Sequence, residues 1–204
     1  MRKILLSLLL LFAFSSFALA DTIAVDFTGG SNESNNNNET YGYSFSVAGT
    51  ITVDGLGVWE DFNRPLGSSH AVGIWDSAMN LLATVNVDGT DTAVASIDGQ
   101  GQWREGNIAP LTLGPGTYYA GVYYDFNSEN VLVVANPVDA PGITYLSAQF
   151  DFGNSLAFPE SSFGNTLIGP AIFENAAVPE PGSMVLLGTG LAGLAGMIRR
   201  RISK

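Results

Sequence analysis

Few side chains in this sequence have the chemistry of a catalyst. His70 is the one histidine, it precedes an apolar run, and there is no cysteine anywhere. A single imidazole does not build a zinc site, and a hydrolytic triad needs a nucleophile and an acid that no motif in the chain supplies. His70 is therefore expected to be an edge or turn residue hydrogen-bonded to backbone. Glu60 and Asp61 are the obvious carboxylate pair for glycoside hydrolysis, but neighbours in a loop are poorly placed to flank one bond. With no lysine between the two ends and no nucleophile elbow, catalysis is not expected.

Binding chemistry has more candidates. Asp125, Asn127 and Glu129 place three oxygen side chains at alternate positions, and Asp88-Gly89-Thr90-Asp91 and Asp98-Gly99 add further oxygens. Ca²⁺ takes six to eight such ligands, so a calcium site at Asp125, Asn127 and Glu129 is one expectation. None of these stretches has the spacing of a known calcium loop, and Asp beside Gly is ordinary turn chemistry. Trp59 and Trp103, with Trp75, Tyr123 and Tyr124, offer rings on which a sugar could stack. Tryptophan in an alternating strand more often fills a core, which is the stronger expectation.

Charge narrows the partners. Eighteen of the 19 acids lie between Asp21 and Glu174 against only Arg64 and Arg104, a formal −16 for that segment. Such a field repels phosphate backbones and anionic lipid, which argues against nucleic acid as a partner. It suits cations, though solubility alone accounts for it. Without cysteine, the domain must be held by its own core, and roughly 140 residues suffice for that.

The elements that must position these side chains are strands. Thr22 to Phe27 alternates and is followed by the Asn-rich run Asn32 to Thr40, which is expected to be a loop. Period-two runs then recur between turn residues at 41–47, 51–59, 71–76, 81–87, 101–108, 111–113, 117–124, 131–135, 143–150 and 167–173. No segment between the ends has a helical period. The fold class is all-β, an antiparallel, jelly-roll-like β-sandwich over residues 41–174, with 21–40 as first strand and loop.

Both ends read differently. Arg2 and Lys3, the apolar Ile4 to Phe17 and Ala18-Leu19-Ala20 form the three parts of a secretion signal over 1–20. Signal peptidase would read Ala18 and Ala20 and leave Asp21 first. At the other end a 175–181 linker carries Pro179-Glu180-Pro181, then come the apolar 182–198 and the basic 199–204. Two prolines around Glu180 keep it extended, outside any helix. The 17 residues from Gly182 to Ile198 rise about 25 Å as a transmembrane helix, slightly short of a bilayer core. Arg199, Arg200 and Arg201 stop it on the cytoplasmic side. Gly188, Ala192 and Gly196 would line one close-packing stripe along it.

This order of motif, short helix and arginine tail closely resembles the PEP-CTERM sorting signal, over Val178 to Lys204. The resemblance implies a bacterial protein processed by exosortase, a membrane cysteine protease or transpeptidase, with Pro179, Glu180 and Pro181 as the sorting residues. Ile51–Val58, His70–Val85 and Leu111–Tyr119 also resemble a β-sandwich module of unknown function that recurs in such proteins. Together these features lead to the expectation of an exported, non-enzymatic protein of the cell surface or matrix, tethered to the inner membrane before processing. Its association with exopolysaccharide is implied by the resemblance alone. The alternative is a carbohydrate-binding sandwich, calcium-dependent through its turn oxygens, and a weaker third is a secreted glycosidase.

Overall fold

The computed structural model describes residues 22–34, 37–126, 130–133, 135–164 and 167–175. The chain divides into a β-rich unit, Ala20–Ala176, and a second unit of Met1–Leu19 with Ala177–Lys204, which lies outside the described residues. The expected signal peptide with Ala18 and Ala20, the sorting tripeptide, the 182–198 helix and Arg199 to Arg201 all fall in the undescribed part. Among the described residues no helix is long and apolar enough to cross a membrane.

Those residues form strands and no helix. One sheet has the order β1 (Thr22–Ile23), β16 (Pro170–Glu174), β5 (Ile51–Asp61), β9 (Gly101–Leu113), β8 (Thr92–Ala95). The other large sheet runs β14 (Ser161–Phe163), β13 (Ile143–Phe152), β4 (Glu39–Val47), β10 (Gly116–Tyr124), β6 (His70–Asp76), β7 (Leu81–Val87). Two small sheets complete it: β15 (Leu167–Ile168), β11 (Asn130–Val133) and β3 (Ser31–Ser34), and β12 (Asn136–Asp139) with β2 (Val25–Thr28). Every pairing is antiparallel, as in a sandwich.

The core follows the period-two pattern. Tyr43, Phe45, Leu56, Val58, Val72, Ile74, Val122 and Ile172 are all buried, and each such side chain is worth about 1.5–3 kcal/mol of transfer free energy. A Cβ on Gly106 of β9 would meet Val85 and Val87 of β7 at 2.9–3.2 Å, so the large sheets approach closely there. On the face of β4, β10 and β6 turned from Tyr43 and Phe45, three glycines stand in register: Gly42 pairs with Gly121, and Gly121 with Gly73. The Trp75 ring and Leu156 occupy the space that a side chain on Gly73 would need. The 153–160 segment crosses this face, with Ala157 N–H donating to Thr40 Oγ1 at 3.1 Å and the Phe158 ring 4.7 Å from Tyr119.

Three expectations change. Part of the Asn-rich run is strand: β3 pairs with β11, and Glu39 and Thr40 open β4. Backbone ladders recruit polar residues without apolar burial, which composition alone does not reveal. The runs at 101–108 and 111–113 are one strand, β9. It continues through Pro110 because the register shifts there: Val53 pairs with Leu111 and Gly55 with Asn107. A bulge leaves the proline's missing N–H without a ladder bond to make. Strands β8, β12 and β14 were not expected.

Candidate functional site

The structure moves the two tryptophans out of reach of any ligand. Trp59 and Trp103 are cross-strand partners on β5 and β9, 2% and 0% exposed, with ring centroids 5.3 Å apart. Phe27 packs edge-on against both, at 4.6 and 5.8 Å. The stacking assignment for Trp59 and Trp103 is thus corrected: a sugar needs an open ring face, and these faces are filled by each other and by Phe27. Trp75 and Tyr124 are buried too, and Tyr123 is half-buried.

The Trp103 indole leads to a residue the sequence did not flag. Asp26 is buried in β2, and its Oδ1 accepts from Trp103 Nε1 at 3.0 Å, Ser96 Oγ at 2.7 Å and Phe27 N–H at 2.9 Å. Its Oδ2 takes the Ile97 N–H at 2.9 Å. An acid between valine and phenylalanine in a first strand was the one available signal.

His70 does bond to backbone, but it is neither edge nor turn. It opens β6, a strand paired on both sides, and is 2% exposed. Its Nδ1 lies 3.1 Å from the Tyr123 carbonyl, which can only accept, so that nitrogen carries the proton. Ser68 Oγ stands 3.4 Å from Nε2, and the Tyr124 ring packs at 4.9 Å.

Glu60 and Asp61 point apart, as neighbours on a strand must. Glu60 is buried under a surface depression of about 420 Å³ shared with Leu66, Ser68, Asp88, Thr90 and Arg104. Its Oε2 receives Gln102 Nε2 and Arg104 Nε, both at 2.6 Å, and its Oε1 the Leu66 N–H at 3.1 Å. Burial pushes this carboxyl up, but those donors and the Arg104 charge outweigh it and hold it below the usual range. A glycosidase acid needs the opposite shift. Asp61 Oδ1 instead caps its own turn through Asn63 N–H at 2.7 Å.

The proposed calcium oxygens are largely committed to turns. Asp88 Oδ1 accepts from Thr90 N–H and Oγ1 at 2.7 and 2.6 Å, and Asp91 Oδ2 from Asp88 N–H at 2.8 Å. Asp98 Oδ1 takes Gly29 N–H at 2.8 Å. Asp125 is exposed and hydrogen-bonds Tyr123, whose hydroxyl it pushes up after burial has done the same. Asn127 and Glu129 lie outside the described residues. Among the described residues no group of three acids or histidines is placed to hold a metal.

A second unflagged acid is Glu39, 2% exposed at the start of β4, with Oε1 buried and unpartnered. Burial pushes its carboxyl up, and bonds from Tyr41 and Asn37 offset only part of this. Folding then favours the protonated form, so stability falls as pH rises from the unfolded value of about 4.5 through the higher folded one. Glu39→Gln is expected to melt higher than wild type at pH 7, with the difference vanishing near pH 4. A difference that ignores pH in thermal melts would refute this.

The body ends in a clamp. β16 lies between β1 and β5, Glu174 pairs with both Thr22 and Val53, and Asn175 follows. Asn175 N–H donates to the Thr52 carbonyl at 2.9 Å and its Nδ2 to Asp54 Oδ2 at 3.0 Å. Ala176, Ala177 and Val178 alone separate this residue from Pro179-Glu180-Pro181.

No curated protein matches the chain. A family described as the PEP-CTERM protein-sorting motif matches residues 177–201, starting two residues beyond the clamped Asn175. With Pro179, Glu180, Pro181 and Arg199 to Arg201 inside that match, this chain carries a PEP-CTERM sorting motif over its residues 177–201.

Proposed function

We propose that this is an exported, non-enzymatic protein of the bacterial surface or extracellular matrix, delivered through its C-terminal tail. Signal peptidase removes residues 1–20 after Ala20. The 182–198 helix then holds the acidic body at the outer side of the inner membrane, with Arg199, Arg200 and Arg201 unable to cross. Exosortase acts near Pro179-Glu180-Pro181 and detaches the tail, and the body passes to the surface or matrix, where it associates with exopolysaccharide.

The observation that carries this reading is the sorting motif over 177–201, directly behind a body whose last strand is locked in place. A carbohydrate-stacking role has lost its main support, because Trp59 and Trp103 are enclosed. Intact-mass measurement of protein from the native host tests the proposal. Wild type is expected to lack Arg199 to Arg201, and Glu180→Ala to retain them in nearly all molecules. Wild-type protein that still carries the tail at the surface would end the proposal.

A further inference from the structure

The depression over Glu60 carries more hydrogen-bonding capacity than the fold consumes. Arg104 is fixed from two sides, its Nε donating to Glu60 Oε2 at 2.6 Å and its Nη1 to the Asp91 carbonyl at 3.0 Å. A guanidinium has five N–H donors, and the two on Nη2 meet no acceptor among the described residues. This side chain lines the depression and is 19% exposed. Asp88, on the same rim, spends Oδ1 on Thr90 and leaves Oδ2 without a hydrogen bond among the described residues. The Thr90 bonds hold its carboxyl below the usual range, and the Arg104 charge adds to this.

The shape is kept open as well. Half-buried Leu66 comes from the loop before β6, Asp88 and Gly89 from the turn after β7. A Cβ on Gly89 would come 2.9 Å from the Leu66 carbonyl and 3.5 Å from Glu60 Oε1, so the space beside the carboxylate exists because residue 89 has none. An ion pair with a purely structural role needs no such space. Charge then narrows the ligand. Glu60 and Asp88 outweigh Arg104, and the acidic body repels anions. A cation would have to displace the guanidinium already seated on Glu60, and among the described residues no three acids or histidines are placed to hold a metal. A neutral molecule with neighbouring hydroxyls fits instead, because it accepts from Arg104 and donates to Asp88 at once. At about 420 Å³ the depression is near the small end of ligand sites, about 300–1,000 Å³, which suits one sugar ring. No aromatic side chain lines it, so recognition there is by hydrogen bonds and not by stacking.

We propose that Arg104 and Asp88 form a binding site for a neutral sugar unit, with Glu60 as the residue that positions Arg104. Arg104 Nη2 donates to one hydroxyl, Asp88 Oδ2 accepts from its neighbour, and Leu66 offers apolar contact to the C–H face of the ring. The source of the sugar rests on the exopolysaccharide association proposed above; the chemistry of the site does not.

Saturation-transfer NMR on the purified full chain, in a detergent without a sugar headgroup, tests this with the methyl glycosides of glucose, galactose, mannose and N-acetylglucosamine. At least one is expected to bind with a Kd on the order of 1–10 mM, as a contact of a few hydrogen bonds should. Asp88→Asn keeps an acceptor for Thr90 and replaces the open oxygen with a donor. Arg104→Lys keeps a charge beside Glu60 and loses Nη2. Each is expected to weaken binding about three- to tenfold, with the melting point of Asp88→Asn unchanged. Silence from all four glycosides at millimolar concentration overturns the site, and so does unchanged binding in either variant. Glucuronate binding more tightly than methyl glucoside overturns the neutral ligand. None of these results bears on tail processing, which is read separately from the intact mass of native protein.

Discussion

Asp26→Ala is expected to lower the unfolding free energy of the body by about 3–5 kcal/mol, because four donors lose their shared acceptor at once. Four donors point at this carboxylate: Trp103 Nε1, Ser96 Oγ and the Phe27 and Ile97 amides. Each donor left buried and unpaired costs about 1–3 kcal/mol, less whatever water recovers by entering the gap. At about 2–4 °C per kcal/mol for a domain of this size, the melting point should fall by about 6–20 °C. Asp26→Asn retains one acceptor and should lose roughly half as much, while Ser96→Ala removes a single bond worth about 1 kcal/mol. Urea unfolding of the three variants gives the ranking. A loss under about 1 kcal/mol for Asp26→Ala would mean that water replaces the carboxylate freely and that the four donors do not depend on it.

A larger effect still is expected from Gly42→Ala. A Cβ at Gly42 would fall on the carbonyl oxygen of Ala120 and lie 2.8 Å from the Gly121 Cα. These are backbone atoms of β10, held by nine register pairs to β4, so no side chain can swing aside. Strands β4 and β10 would have to part in the middle of a six-stranded sheet. A loss above about 4 kcal/mol, or failure to fold solubly, is the expected result. Gly49→Ala is the control: nothing lies within 4 Å of its Cβ position. It should be neutral, or gain up to about 1 kcal/mol from a stiffer unfolded chain. Soluble yield and urea midpoints for the pair separate steric need from a general intolerance of glycine replacement. Equal behaviour of Gly42→Ala and Gly49→Ala would remove the steric explanation.

The alternation of Tyr41, Tyr43, Phe45 and Val47, and of the runs like it, made the all-β class legible, because a half-buried strand must hide every second residue. The register shifts were not legible. Pro110 looks like a terminator, and only the partner strand reveals that a bulge spares its missing N–H. Buried acids were equally hidden. Asp26 and Glu39 look solvent-bound by type. Three of the four donors that hold Asp26 lie 70 to 77 residues away, and the burial of Glu39 depends on where one strand starts. Trp59 and Trp103 were ambiguous for a related reason: the same ring serves a core or a ligand, and the third body, Phe27, comes from the first strands of the domain. The sorting tripeptide was the easiest feature to read, since Pro179-Glu180-Pro181 is a local run of residue types that needs no partner strand to be recognised.

The hydrogen-bonded pairing of Thr22 with Glu174 sets a timetable for export. The strand that sits between β1 and β5 is the last made of the described strands, so a chain still threading outward would offer a lone N-terminal strand and a sheet with a raw flank. Under the export route proposed above, the gap fills only once residue 174 has emerged, eight positions ahead of the apolar 182–198 stretch that would halt translocation. On that proposal, maturation of the body and arrest of its tail in the bilayer would fall within moments of each other, and until then the half-built sheet would depend on whatever shields unfolded chains outside the cytoplasm.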